Sequence, residues 1–206
     1  NAVGWKNVLL ENALTPIQQY SYTSGKNSSD AALIIDAMDI LYSGKVDGFC
    51  IVSSDSDFTR LAIRLREAGK KVIGIGEKKT PASLIAACDK FIYLEIIAKA
   101  STPEPEGPSK PKPKSKEPRK KPEAPHVEKS ILSLIRNSIS DVADESGWAF
   151  LGDVGSLIIK KRTDFDPRNY GFDKLTPFIR SLPQFEIDER ETSNKYIKHI
   201  YIRNKN

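Results

Sequence analysis

Two aspartates, Asp55 and Asp57, stand at the end of a short apolar run in the segment FCIVSSDSDF. The run Phe49–Ser53 predicts a buried strand, and the next predicted helix begins at the aspartates. A third aspartate, Asp30, opens the preceding predicted helix. Ligands of parallel sheets bind outside the carboxyl ends of the strands, so we expect the three side chains to converge there. Converging carboxylates repel one another unless they share a hard divalent cation, and Mg²⁺ and Mn²⁺ prefer oxygen ligands of this kind. The pattern predicts a metal site at which water attacks a phosphodiester.

Each aspartate taken alone also has an ordinary structural explanation. Asp55 fits a helix N-cap, and Asp57 and Asp30 fit first turns, where the helix dipole favours negative charge. A cap alone does not explain a second aspartate two residues later and a pair of serines before it. The metal site is therefore the favoured interpretation.

Periodicity places these aspartates in an alternating series of helices and strands. Helices are predicted over 5–13, 29–42, 57–68 and 81–88, and strands over 16–22, 49–53, 71–75 and 91–94. Helices of this length between strands predict a parallel sheet covered by helices, an α/β layer sandwich.

A proline-rich stretch, 101–125, divides the chain into domains 1–100 and 126–206. It holds eight of the 13 prolines and no Val, Ile, Leu, Phe, Tyr or Trp, which predicts an extended linker. Seven basic and four acidic residues give the stretch a net charge of +3 out of +5 for the chain. This charge suits attraction to a polyanion such as RNA, and a merely solvated spacer is an equally open explanation.

The C-terminal part has a different pattern. Helices are predicted over 127–142, 151–160 and 173–181, and strands over 185–188 and 196–202. Three helices followed by a hairpin predict a small winged helix-turn-helix domain. Such domains usually bind nucleic acid or protein.

Composition excludes several classes of protein. The chain is 39% hydrophobic, which is enough for a packed core and excludes full disorder. No apolar run approaches the roughly 18–20 residues of a membrane span, and no secretory leader is visible, so a cytoplasmic location is expected. Cys50, Cys88, His126 and His199 lack the spacing of zinc ligands, and both cysteines are interpreted as core residues.

The segments 26–58 and 71–77 (KVIGIGE) resemble the NYN domain, the PIN-like, LabA-like family of metal-dependent ribonucleases. The resemblance covers most of residues 1–95, and VSSDSDF after a strand is its most specific motif. It implies an Mg²⁺ or Mn²⁺ site with the following catalytic and metal-binding residues: Asp30, Asp55 and Asp57 as ligands, and Ser53 beside them.

One feature of that family is missing. Its first strand ends in an aspartate within an IDGDN-like segment, and this sequence has no such segment. The resemblance therefore leaves two alternatives open for the chain as numbered: a complete metal site, or an incomplete one that is inactive even if the full protein cuts RNA.

The segments 147–151 (GWAFL), 169–175 (NYGFDKL) and 185–187 (FEI) resemble the OST-HTH, or LOTUS, domain, which binds RNA or protein partners. The residues predicted to contact RNA are Lys26, Lys160, Lys161, Arg162, Tyr170 and Lys174. The lysines and the arginine would contact phosphates, and Tyr170 would stack on a base. For Tyr170, packing under the following helix is the favoured alternative.

The expected function is metal-dependent endonucleolytic hydrolysis of single-stranded RNA, with the OST-HTH domain binding the substrate. The alternative is an inactive adaptor that binds RNA or protein. A haloacid dehalogenase-type phosphatase is disfavoured: 55–59 (DSDFT) fits its DxDxT signature, but Asp89 is the only aspartate between Phe58 and Ala100.

Overall fold

The computed structural model of the chain describes residues 4, 6–17, 19, 28–100, 127–191 and 198–205. The predicted linker 101–125 therefore lies outside the described residues, as do Lys26 and His126. The chain forms two compact units, Asn1–Asp47 and Gly48–Asn206.

The described residues of the first unit form two helices, α1 (Lys6–Glu11) and α2 (Ser28–Ser43). Helix α2 ends at Gly44, whose positive φ of 68° is the left-handed conformation that closes many helices. The strand predicted over 16–22 is wrong at 16, 17 and 19, which are not in a strand; the other residues of that range lie outside the described part. Ile17 is 73% exposed, so a strand here would have little side-chain packing to stabilise it.

The second unit begins with a parallel sheet of three strands in the order β1-β2-β3. Its elements are β1 (Gly48–Val52), a 3₁₀ turn (Ser56–Phe58), α3 (Thr59–Glu67), β2 (Lys71–Gly76), α4 (Ala82–Ala87), β3 (Lys90–Tyr93) and α5 (Leu94–Ala100). This confirms the predicted parallel α/β sheet. Helix α5 was not predicted from the sequence.

The central strand β2 carries the packing of this sheet. Val72 on β2 and Leu65 on α3 are fully buried, and Phe91 on β3 is 1% exposed. Gly74 is required on β2, since an added Cβ would lie 2.6 Å from the Phe91 ring and 2.7 Å from the Cys88 sulfur. The close packing around β2 fixes the strands whose ends form the candidate site.

Strand β1 is much more exposed than its apolar sequence predicts. In the described sheet it pairs only with β2, so it is an edge strand. Ile51 is buried, whereas Val52 is 64% exposed. Cys50 is exposed too, so its interpretation as a core residue is wrong, while Cys88 is buried as predicted.

Within 127–191 and 198–205, the C-terminal part of the second unit has three helices and an antiparallel sheet in the order β4-β6-β5. Its elements are α6 (Lys129–Val142), β4 (Ala149–Phe150), α7 (Leu151–Lys161), a 3₁₀ turn (Pro167–Tyr170), α8 (Leu175–Arg180), β5 (Phe185–Glu191) and β6 (Lys198–Asn204). The three helices and the hairpin were predicted; β4, which pairs Phe150 with Tyr201, was not.

One hydrophobic core holds these elements together. Ile131, Ile135 and Ile139 project from one face of α6 at intervals of four residues and are at most 1% exposed. They pack in one cluster with Phe178 of α8 and Ile202 of β6. Among the described residues, no helix is long and apolar enough to cross a membrane.

Candidate metal centre

The loop that follows β1 is shaped by its two serines. The Ser53 backbone N–H donates to the Ile75 carbonyl oxygen at 2.9 Å, which extends the pairing of β1 with β2. The Ser53 hydroxyl oxygen then accepts the Asp55 N–H at 3.1 Å. Ser54 ties the loop to the end of β2, because its hydroxyl oxygen accepts the Glu77 N–H at 2.9 Å. The loop that carries the aspartates is therefore anchored to the sheet.

Asp55 caps the 3₁₀ turn that follows β1, as the structural alternative to a metal ligand predicted. Its carboxylate accepts the Asp57 N–H at 3.0 Å at the start of the 3₁₀ turn. Phe58, which is 4% exposed, anchors this turn in the core. A carboxylate has two oxygens and about four acceptor positions. Capping one backbone N–H therefore leaves Asp55 able to bind a cation as well.

Three aspartate side chains come together. One carboxylate oxygen from each of Asp30, Asp55 and Asp57 lies within 4.8 Å of the other two. Asp30 is in the first turn of α2 and half-buried, and the other two are exposed. Two unit charges at this separation repel by roughly 1 kcal/mol in water and about 3–4 kcal/mol at the effective dielectric constant of a protein surface. A cation shared by the three oxygens offsets this repulsion, and such a donor set fits Mg²⁺ or Mn²⁺.

The next loop along the same sheet edge is held by Glu95, a residue that the sequence reasoning missed. The Glu95 carboxylate accepts the Lys78 backbone N–H at 3.0 Å. This hydrogen bond lowers the pKa of Glu95 below its ordinary value. Because Glu95 follows β3, the rule that led to Asp55 after β1 would also have found it.

The residues predicted to contact RNA in the C-terminal domain are distributed around α7 and α8. Lys160 and Lys174 are exposed. Lys161 forms an ion pair with Asp141 of α6. Arg162 donates through Nε to Asp164 at 3.1 Å. Two of these cations are thus engaged by carboxylates of their own domain.

Tyr170 packs against α8, the helix that follows it, as predicted by the alternative to base stacking. Its ring stacks on Phe178 with centroids 4.9 Å apart and planes at 23°. Gly171 follows with a φ of 84°, which closes the 3₁₀ turn. Burial raises the pKa of the Tyr170 hydroxyl, so this group stays protonated at neutral pH.

The comparisons with known proteins agree with this arrangement. Family models match an NYN domain at residues 1–95 and an OST-HTH/LOTUS domain at residues 122–197. No curated protein matches the chain at a significant level.

Solved structures of three bacterial proteins are similar in sequence. An uncharacterized protein from Nitrosomonas europaea is 28% identical and matches 47% of this chain and 92% of its own, with a TM-score of 0.36. A protein of unknown function from Vibrio parahaemolyticus is 29% identical over 44% of this chain and 59% of its own, with a TM-score of 0.36. A protein from Chromobacterium violaceum is 36% identical over 39% of this chain and 86% of the solved chain, with a TM-score of 0.31.

Both matched families point to RNA. An NYN domain suggests a nuclease fold that uses divalent metals, and an OST-HTH/LOTUS domain suggests RNA binding. The acidic cluster lies within the first match, and the helices and hairpin of the C-terminal part lie largely within the second. The chain carries an NYN domain followed by an OST-HTH/LOTUS domain.

Proposed function

We propose that the chain is a metal-dependent RNA endonuclease that hydrolyses phosphodiester bonds, with the OST-HTH domain binding its RNA substrate. The observation that carries this proposal is the approach of three carboxylate oxygens to within 4.8 Å of one another. A cytoplasmic location and single-stranded RNA as the substrate belong to the same proposal.

Each residue of the cluster has a role in this function. Asp30, Asp55 and Asp57 hold Mg²⁺ or Mn²⁺, which supplies a Lewis acid and lowers the pKa of water. The cap made by Asp55 fixes the direction of its carboxylate before the cation binds. Ser53 accepts the Asp55 N–H, and its own O–H remains a donor that can orient water or a phosphate oxygen.

The basic residues of the OST-HTH domain bind the RNA backbone. The exposed Lys160 and Lys174 attract phosphates, and Arg162 and Lys161 assist from the end of α7. Lys26 serves the same purpose in the NYN domain. Tyr170 offers an aromatic group to a base, although its ring is already stacked on Phe178.

The test is Mn²⁺-dependent cleavage of single-stranded RNA by the chain and by Asp55→Asn. Asparagine caps helices as well as aspartate does, so this substitution removes the charge and keeps the turn. We expect cleavage to fall by at least about 100-fold, which corresponds to roughly 2.7 kcal/mol of transition-state stabilisation. The matched control is Asp153→Asn, an exposed first-turn aspartate of α7, which should cleave normally. Equal cleavage by the chain and by Asp55→Asn would contradict the proposal.

A second function, a non-catalytic adaptor that binds RNA or protein, is favoured by one observation. Asp55 caps a helix and Asp30 lies in a first turn, positions that stabilise folded proteins without any metal. RNA binding without Mn²⁺-dependent cleavage would select the adaptor.

A further inference from the structure

The OST-HTH domain contacts the NYN sheet along strand β3. The Phe91 N–H donates to the Thr163 carbonyl oxygen at 2.9 Å. The Thr163 hydroxyl donates to the Ile85 carbonyl oxygen, also at 2.9 Å. The segment that follows α7 thus binds the edge of the parallel sheet through its backbone.

A cavity of about 230 Å³ lies beside this contact, and we call it the junction cavity. Both domains line it, with Lys78 and Tyr93 from the NYN domain and Arg162, Asp164, Asn169 and Tyr170 from the OST-HTH domain. Pockets for drug-sized ligands measure roughly 300–1,000 Å³. The junction cavity is therefore suited to a smaller group, such as the base of one nucleotide.

The electrostatics of the cavity favour an anion with an aromatic part. Asp164 accepts hydrogen bonds from the Tyr93 hydroxyl at 2.8 Å and from Arg162 at 3.1 Å. Its side chain is only 15% exposed, and Arg162 balances its charge. Lys78 gives the lining one cation more than it has carboxylates, although Glu95, outside the lining, interacts with Lys78; Tyr93 and Tyr170 are aromatic residues of the lining.

The position of the cavity links it to the acidic cluster. Lys78 follows β2 and Tyr93 ends β3, so both lie at the carboxyl edge of the sheet, where Asp55 follows β1. Neighbouring strands are about 4.8 Å apart, so β1 and β3 are separated by roughly 10 Å. A few linked nucleotides can cross that distance. The hydrogen bond from the Lys78 N–H to Glu95 holds the loop in place.

We infer that the junction cavity binds one nucleotide of the single-stranded RNA, a few positions along the strand from the phosphodiester that lies at the acidic cluster. Lys78 and Arg162 hold its phosphate, and the tyrosines contact its base. This inference rests on the proposed function, since it assigns a place to the substrate of that site. An acidic peptide would use the positive charge but not the aromatic walls.

The test is fluorescence anisotropy of a labelled single-stranded oligouridylate, titrated with the full chain in EDTA at several salt concentrations. We expect Lys78→Ala and Arg162→Ala each to weaken binding about tenfold, the typical effect of losing a hydrogen bond to a charged group. Each should also lower the slope of log K against log salt by about 0.7, the value for one contact with a single-strand phosphate.

Matched controls remove the same charges elsewhere. Lys71→Ala lies at the opposite end of β2, and Arg136→Ala is exposed on α6; both should bind RNA with an unchanged salt slope. Arg162→Ala also removes the ion-pair partner of Asp164 and could therefore misfold. In that case Lys78→Ala is the variant that decides.

Two results would overturn the inference. Lys78→Ala could bind RNA no more weakly than Lys71→Ala, or uridine monophosphate could bind as tightly as the oligomer, which would assign the cavity to a free nucleotide. Because EDTA prevents metal-dependent cleavage, a failure of the nuclease proposal leaves this binding measurement unaffected.

Discussion

Carboxylates of the second unit have two kinds of neighbour: ion pairs occur in both of its regions, including Asp89–Arg66 of the NYN part, whereas the acidic cluster brings carboxylates together. In the OST-HTH domain, carboxylates face cations, as in the ion pairs Asp141–Lys161, Asp166–Arg168, Asp188–Arg190 and Glu186–Arg203. At the acidic edge of the NYN sheet, Asp55 and Asp57 lie beside another carboxylate. Except for the buried Asp166, these carboxylates are exposed or half-exposed, and ion pairs of that kind contribute about 0–1 kcal/mol and need no function to explain them. Adjacent like charges cost free energy, so the acidic edge is where a ligand is expected.

Burial separates the same two regions. The OST-HTH core is continuous, with Phe178 and Ile179 fully buried. The strand that leads to the aspartates has one buried residue, Ile51. Stability of the OST-HTH domain therefore depends on extensive packing, whereas the acidic loop is held by a few hydrogen bonds to the sheet and by one buried ring, Phe58.

The largest expected effect tests the packing side of this comparison. Phe178→Ala removes a ring that contacts Tyr170, Phe165 and Phe172. It should lower the free energy of unfolding by about 3–5 kcal/mol, because it leaves a cavity in the core. Urea unfolding followed by tryptophan fluorescence measures this. Val52→Ala, at an exposed position, is the control and should stay within about 0.5 kcal/mol of the unchanged chain. Equal midpoints for the two variants would contradict the comparison.

A smaller effect tests whether the acidic cluster binds a cation. Mn²⁺ at about 100 times its dissociation constant should stabilise the chain by about 2.7 kcal/mol. Asp55→Asn should lose most of this gain, and in EDTA it should be at least as stable as the unchanged chain because one repelling charge is gone. Thermal unfolding with and without Mn²⁺ measures both. Asp153→Asn should keep the full gain, and an identical gain in Asp55→Asn would exclude Asp55 as a ligand.

The smallest effect concerns pH and Asp166. Burial raises the pKa of this carboxyl, but hydrogen bonds from the Arg168 side chain and backbone outweigh burial and leave the pKa below the ordinary 3.8. A carboxyl whose pKa is lowered by folding stabilises the fold at pH values above its ordinary pKa of 3.8. This stabilisation is lost as the pH falls through the lowered pKa.

Asp166→Asn keeps the cap and removes the titration. The urea midpoint should therefore fall less between pH 5 and pH 3 in this variant than in the unchanged chain. An identical fall in both proteins would show that Asp166 carries none of the acid sensitivity.

The elements around the aspartates could be predicted because they depend on local patterns. Each of these patterns extends over only a few residues: the apolar run Phe49–Ser53 indicates a strand, Gly69 the end of a helix, and the spacing of isoleucines the buried face of α6. Strand β4 has two residues and exists only because β6 lies beside it, so no local pattern could indicate it.

Burial was less predictable than secondary structure. Cys50 and Cys88 both occur among apolar neighbours, yet Cys50 is exposed on an edge strand and Cys88 lies against Gly74 of the central strand. Which strand is central is a property of the assembled sheet.

The sequence by itself determined which residues can do chemistry and the end of the strand at which Asp55 and Asp57 stand, because alternation and helix periodicity act over short distances. Sequence reasoning also placed Asp30 at the same edge, but only the tertiary structure decided how closely the three carboxylates approach one another, that Asp55 keeps its cap within that cluster, and that Lys78 and Arg162 line one cavity. These depend on contacts between segments far apart in the chain, which no local pattern specifies.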